Sequence, residues 1–371
     1  MFNRGSLILF LVFLFACKEP FISPEVSSTP SYLVVDGYLQ TLGQATIRLS
    51  RTRSLNDSAS SSPELNAQLD LLIDNTTDVS FTEVGNGQYS LSTALLDDNH
   101  FYQLHIRTTN GKEYVSDSLF AKPSPAIDSV NWTLDPTGLN VFVNTHDQTA
   151  NTRYYRWEYQ ETWEHFAHDH SLLIYKGGTV VPRTAAEEIF ECWKSDTLTD
   201  ILIGSTEKLN TDVVYMQPVK FIPVTADEVS KLYSIIVYQY AISKEAYQYW
   251  DNLKKNTELR GSLFDPQPSQ VSGNIRCISN PEEPVLGFVS AGSVTSQRIF
   301  INHDDLSYWY YTYPYECNTI VIGFGDVPRY FADTLLTTPL YSELTGIRGV
   351  AVECADCRYG GGSNTKPSFF P

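Results

Sequence analysis

Alternation with a period of two runs through the first third of the chain and is hard to reconcile with anything but strands. Ala45, Ile47 and Leu49 alternate with Thr46, Arg48 and Ser50, and Tyr102, Leu104 and Ile106 alternate with Gln103, His105 and Arg107. Ala67, Leu69, Leu71 and Ile73 are likewise set against Gln68, Asp70 and Asp74. Successive side chains of a strand point to opposite faces, so each segment has one face to bury and one to wet. Asn86-Gly87 and Asn110-Gly111 supply the positive-φ residues of tight hairpins, the second joining His105-Ile106-Arg107 to Glu113-Tyr114-Val115. About seven such strands in roughly 90 residues predict an immunoglobulin-like β-sandwich, placed at residues 32–122. Tyr 23 and Phe 19 against Met 2 agree, because aromatic side chains suit a pleated, half-buried surface. Arg51 to Glu64, rich in Ser, Asn and Asp, reads as a long exposed loop.

Lys122-Pro123-Ser124-Pro125 marks a boundary, since two prolines interrupt strand pairing. A larger β-rich domain is expected over 127–371, and 371 residues suffice for two or three domains with cores of their own. Val130–Trp132, Leu139–Val143 and Tyr154–Tyr159 begin it like a fibronectin III sandwich, with Trp132 or Trp157 as the core aromatic. Residues 160–222 break this rhythm and read as an insertion. Leu232–Ala241 resumes as a nearly continuous apolar strand, expected to be buried on both faces. A helix over about 244–256 follows, with Ser243 as N-cap, Glu245 in its first turn, Ala246, Tyr249, Trp250 and Leu253 on one side, and Lys254-Lys255 at its end. Strands return at Gly287–Ser290, Arg298–Asn302 and Ile320–Phe324.

The N-terminus reads as an address. Arg4 precedes the apolar run Leu7 to Phe15, too short to span a bilayer, and Ala16 stands directly before Cys17. Residues 1–16 are therefore expected to be a lipoprotein signal peptide. Leu14-Phe15-Ala16-Cys17 is similar to a bacterial lipobox, which makes Cys17 the lipidation site, and residues 17–31, rich in Pro and Ser, a lipidated tether. Lys18, not Asp, follows the cysteine, which favours an outer-membrane anchor facing the periplasm or the cell surface. A formal net charge of −17 excludes nucleic acid as a partner, because affinity for phosphate backbones comes from Lys and Arg.

With Cys17 assigned to lipid, Cys192, Cys277, Cys317, Cys354 and Cys357 are disulfide candidates for an oxidising compartment, and the sequence does not select among their pairings. Cys354-Ala355-Asp356-Cys357 has redox-motif spacing without the strand-then-helix setting of a thioredoxin site. His165, His168, Asp169 and His170 form the densest group of metal-capable side chains, but their spacing matches no defined metal site, so neither metal nor cofactor is expected. Between Tyr308 and Tyr315, alternate residues Trp309, Tyr311, Tyr313 and Tyr315 share one face of an extended chain. They could stack on a ligand, although a core or inter-sheet strand is the simpler reading, with Pro314 at an edge or strand end. Asp97-Asp98, Glu187-Glu188, Glu282-Glu283 and Asp304-Asp305 are neighbours that a strand would point apart, which suits a solvated surface. No Gly-x-Ser-x-Gly, His-Glu-x-x-His or phosphate-binding glycine loop occurs, so no catalytic residue is assigned.

In order, Leu33-Val34-Val35-Asp36-Gly37, Asn86-Gly87-Gln88-Tyr89, Ile127-Asp128-Ser129-Val130, Cys192-Trp193, Tyr247-Gln248-Tyr249-Trp250, Gly273-Asn274-Ile275-Arg276-Cys277 and Cys354-Ala355-Asp356-Cys357-Arg358 span nearly the whole chain. Together with the lipobox and the ending Lys366-Pro367-Ser368-Phe369-Phe370, this series resembles the Bacteroidota lipoprotein family catalogued as domain of unknown function 4249. The resemblance implies an outer-membrane lipoprotein, often encoded beside a TonB-dependent transporter, with no established activity. The expectation is a non-enzymatic accessory or binding partner of such a transporter in nutrient uptake. A surface hydrolase acting on glycan or peptide, and an adhesin or envelope assembly factor, are the alternatives.

Overall fold

The computed structural model describes residues 31–41, 43–53, 62–92, 96–97, 99–258, 272–332 and 336–371. The signal segment, Cys17 and the tether up to residue 30 lie outside them, as does the middle of the loop expected between Arg51 and Glu64. Strands in several open sheets make up about half of the described residues, and no described helix is long and apolar enough to cross a membrane.

The first unit consists of two six-stranded sheets. One runs in the order Val289–Gly292, Leu33–Gln40, Gln44–Arg51, Gln88–Ser92, Thr82–Gly85, with Ser62–Pro63 also on Gln44–Arg51. The other runs Ile275–Cys277, Glu113–Ser116, Phe101–Arg107, Gln68–Ile73, Thr77–Ser80, with Leu119–Phe120 also on Phe101–Arg107. Alternate residues Ala45, Ile47, Leu49, Leu69, Leu71, Leu104 and Ile106 meet in one shared core, as their period of two requires. Each fully buried Leu or Ile there contributes about 2 kcal/mol of transfer free energy. At the Asn86-Gly87 turn both residues take positive φ, 55° and 69°, and a Cβ on Gly87 would lie 2.3 Å from the Leu49 carbonyl oxygen. The turn therefore needs glycine for its conformation and for the close approach of the neighbouring strand.

Residues 275–292 do not belong to a self-contained second domain beginning at 127. Val289–Gly292 pairs in parallel with Leu33–Gln40, and Ile275–Cys277 pairs antiparallel with Glu113–Ser116, so the late segment adds a strand to each sheet of the first unit. Without it both sheets would end in strands with open hydrogen-bonding edges. Parallel pairing requires a long crossover, which is why no local pattern announces it. At Gly287 (φ +115°) a Cβ would sit 1.8 Å from the Val35 carbonyl oxygen, so the return segment can seat against the first strand only with glycine there. Glu283 secures it further: it accepts from Tyr114 Oη at 2.9 Å and pairs with Lys112, while Arg51 stands 3.9 Å away. Burial would raise the Glu283 pKa, but these donors outweigh it and hold the group below its usual value.

In the second unit, a sheet ordered Ile127–Asp135, Gly138–His146, Val213–Pro223 faces a sheet ordered Glu191–Thr197, Tyr154–Phe166, Leu232–Ala241, Val294–Asn302. Trp157, fully buried, is the core aromatic; Trp132 is half-buried beside the same cluster. The expected insertion at 160–222 is corrected: Tyr154–Phe166 runs unbroken through 160, Glu191–Thr197 and Leu202–Ser205 pair with it, and Val213–Pro223 completes the facing sheet. The rhythm is hidden because Glu161 occupies an inward position, 2% exposed, where it accepts from Lys220 Nζ at 2.7 Å and Tyr233 Oη at 2.6 Å. A buried carboxylate is tolerated when a cation and a donor are supplied with it, and neither partner is near in sequence. Leu232–Ala241 is buried on one face, while on the other only Ser234 is buried and Leu232, Ile236, Tyr238 and Tyr240 are half-buried, so it is not buried on both faces. The helix occupies Lys244–Thr257, with Ser243 Oγ accepting from the Ala246 amide at 3.1 Å.

A small C-terminal sheet, Ile320–Gly323, Gly346–Ala351, Thr337–Ser342, completes the chain. Two disulfides tie this region down, Cys192–Cys357 and Cys317–Cys354, leaving Cys277 as a buried free thiol.

Candidate functional site

After the strand Val294–Asn302 the chain runs extended across the second unit as residues 306–319 without joining a sheet. Trp309 donates from Nε1 to the Ala226 carbonyl at 2.9 Å and packs on the second core; the Tyr310 amide reaches the Val224 carbonyl at 3.1 Å. Further on, Tyr313 Oη donates to the Glu353 carbonyl at 2.9 Å, and Cys317 is bonded to Cys354. Between these anchors Tyr311, Tyr313 and Tyr315 form a row with centroids 6.3 and 5.7 Å apart, extended by Tyr359 at 6.1 Å from Tyr315. Each contact is edge-to-face, the geometry aromatic quadrupoles prefer. The four alternate side chains expected on one face thus divide: Trp309 goes to the core, while Tyr311 and Tyr313 are half-buried and Tyr315 is 41% exposed. Tyr359, 57% exposed, joins the row from elsewhere in the chain. The core-strand expectation holds for Trp309 alone: no neighbouring strand pairs with this segment among the described residues, and the tyrosines run from half-buried to exposed. Burial, with the charge of Asp227 nearby, pushes the Tyr311 hydroxyl up to about 12, so it stays a neutral donor.

The histidines do not converge. His165 is buried with Nε2 unpartnered against the Gly362 backbone, and burial, aided by Lys194, holds its pKa down at about 4. His168 lies edge-on to Tyr313 at 5.4 Å and contacts Asp169 at 3.0 Å, whereas His170 stacks on Phe190 at 4.4 Å and meets Glu188 at 3.2 Å. Among the described residues one group of metal-capable atoms comes together, His168, Asp169 and Cys317 within 4.8 Å. The Cys317 sulfur is spent in its disulfide, which leaves fewer donors than a zinc site uses. Cys354 and Cys357 are not bonded to each other; each takes a distant partner, so the pair acts as a structural staple.

The adjacent carboxylates also diverge. Glu187 pairs with Lys176 and caps Thr184, which draws its pKa down to about 2, while Glu188 faces His170. A facing pair exists elsewhere: Glu164 and Glu191 lie diagonally on neighbouring strands, and burial together with a shared hydrogen bond raises the Glu164 pKa to about 6. No sequence signal could have found it, since the pairing depends on the register of strands separated by an excursion that includes the hairpin Leu173–Lys176, Thr179–Pro182.

Where the two units meet, the strand Leu33–Gln40, the strand Tyr154–Phe166, the loop 198–201, the helix and Phe288 of the return segment line a half-open cavity of about 330 Å³. The loop is pinned to the end of the helix: Lys254 Nζ donates to the Ile201 carbonyl at 2.7 Å, and the Ile201 amide donates to Glu258 at 2.6 Å. Arg156 lies with its guanidinium 4.0 Å over the Trp250 ring and pairs with Glu158, which also accepts from Tyr240 Oη at 2.8 Å.

A family profile described as "Domain of unknown function (DUF4249)" matches residues 19–298. No curated protein matches the chain in sequence. Among solved structures, the chain is similar to the chicken CNTN1 FN1-FN3 domains at 14% identity, covering 57% of this chain and 63% of that one, with a TM-score of 0.20. A DUF3823 family protein from Parabacteroides merdae is 12% identical over 57% of this chain and 92% of that one, with a TM-score of 0.14. Chitinase ChiA74 from Bacillus thuringiensis is 9% identical over 59% and 31%, with a TM-score of 0.15. The chain therefore spans less than two thirds of the first and third of these structures.

Proposed function

The chain belongs to the DUF4249 family over residues 19–298, and from that membership we propose that it is an outer-membrane lipoprotein, anchored through acyl chains on Cys17, that serves a TonB-dependent transporter as a non-enzymatic binding partner. The observation that carries the binding role is the row Tyr311, Tyr313, Tyr315 and Tyr359, rings in edge-to-face contact that run from half-buried Tyr311 and Tyr313 to exposed Tyr315 and Tyr359. Exposed aromatic surface is characteristic of contact sites, and Tyr315 and Tyr359 each offer an apolar face with a polar tip. In this reading the first unit is an immunoglobulin-like sandwich over 32–122 closed by the return segment, and a fibronectin III-like unit begins at 127. The net charge of −17 keeps the tethered body soluble and away from acidic headgroups.

Affinity purification of the tagged chain from detergent-solubilised membranes tests the reading. An outer-membrane transporter should co-elute, Cys17→Ser should release the protein from the membrane fraction, and Tyr315→Ala with Tyr359→Ala should weaken the association without changing the folded state. Recovery of no outer-membrane transporter would overturn it. The Glu164–Glu191 pair favours a second reading, a surface hydrolase with Glu164 as the acid near pH 6. Glycan or peptide turnover that disappears in Glu164→Gln would establish that alternative.

A further inference from the structure

We propose that the cavity at the junction of the two units binds a small organic cation, an amine carrying an apolar group. Its volume of about 330 Å³ equals that of roughly ten water molecules, room for a ligand of similar heavy-atom count, and it lies between units, where ligand sites are commonly found. The aromatic side chains Tyr249, Trp250 and Phe288 form much of its lining.

The sign of the ligand's charge follows from the charges that line the cavity. Arg156 and Glu158 neutralise each other, and the guanidinium already covers one face of Trp250, which leaves Tyr249 and Phe288 as the aromatic neighbours of a ligand. Asp36 comes from the first unit and Asp200 from the second; both are exposed, and among the described residues neither carboxylate has a hydrogen-bonding or ion-pair partner. Lys254, next to the lining residue Leu253, is committed to the Ile201 carbonyl and to Glu258 at 3.7 Å, and Arg48, opposite Asp36 in the strand ladder, forms no ion pair with it among the described residues. The lining thus carries two carboxylates without an ion-pair partner beside aromatic faces. The half-open pocket makes the site; the carboxylates select the charge of what enters it. This inference does not depend on partnership with a transporter.

Three probes of nearly one shape separate the possibilities: 2-phenylethylamine, 2-phenylethanol and phenylacetate, each titrated calorimetrically into the detergent-solubilised full chain against a detergent blank. The amine should bind saturably and at least tenfold more tightly than the alcohol, with no saturable binding of phenylacetate. Asp36→Asn with Asp200→Asn should weaken amine binding tenfold or more at an unchanged urea midpoint. Asp78→Asn with Asp305→Asn, which removes the same charge from remote exposed positions, should change it less than twofold. Equal binding of amine and alcohol, preference for phenylacetate, no saturable amine binding, or equal weakening by both double variants would each overturn the proposal.

Discussion

The first unit and the C-terminal region reach stability by different means. The first gathers Leu33, Ile47, Leu71, Leu104 and many others into one continuous core, with no disulfide among its described residues and a reduced, buried Cys277 packed as an ordinary apolar group. The C-terminal region has only small separate clusters, one around Phe331 and Ile347 and another around Leu340 and Val350, and it exposes Ile320, Leu336 and Leu344. Both disulfides of the described chain are there. Where too little apolar surface can be buried to offset chain entropy, cross-links that restrict the unfolded chain substitute for a core.

The largest test of this contrast is covalent. Cys192→Ser with Cys357→Ser opens a link across a sequence separation of 165 and should destabilise the C-terminal region by roughly 5 kcal/mol in the loop-entropy account. Hydrogen exchange should then show faster exchange over residues 320–357 and unchanged protection in 33–51 and 101–116. Equal loss in both regions would mean that they unfold as one body. Next in size, Leu104→Ala should cost about 3 kcal/mol through lost burial and a residual cavity, with the same shift in urea midpoint whether or not reductant is present.

Two smaller predictions concern neighbours on one strand. His165 is held neutral, at about 4, so the unfolded chain takes up a proton that the folded chain refuses. Stability should be fully present above pH 6.5 and fall towards pH 4, by about 2 kcal/mol after allowance for solvent screening. His165→Gln should flatten that slope in pH-dependent urea titrations. Glu164 has the opposite sign: its carboxyl at about 6 binds a proton in the folded chain that the unfolded chain has released, so stability falls as pH rises from about 4.5 to 6. Glu164→Gln should therefore stabilise the protein at pH 7, by less than about 1 kcal/mol because the pair is partly exposed, and should have no effect at pH 4.

Much of this architecture could be read before any coordinates. The alternation at 45–49 and 102–106 became strands, Asn86-Gly87 became a turn with both residues at positive φ, and Ser243 capped the helix. These features depend on backbone sterics and on contacts a few residues apart, which are the same in any fold. The functional surface was half legible: the alternation of Tyr311, Tyr313 and Tyr315 foretold a shared face, but whether that face was core or surface depended on which other segments covered it.

What local pattern could not reach has a common cause. The parallel return of Val289–Gly292 to Leu33–Gln40, the pairing of Glu161 with Lys220, the distant partners of Cys354 and Cys357, and the junction cavity all join residues far apart in the chain. Such contacts are selected by the sum of burial and polar satisfaction over the whole molecule, so side chains that look unpaired or misplaced along the chain acquire partners only when it closes on itself. Local residues decided where strands, turns and the helix would form; folding decided which charges would be neutralised and which would be left facing a cavity.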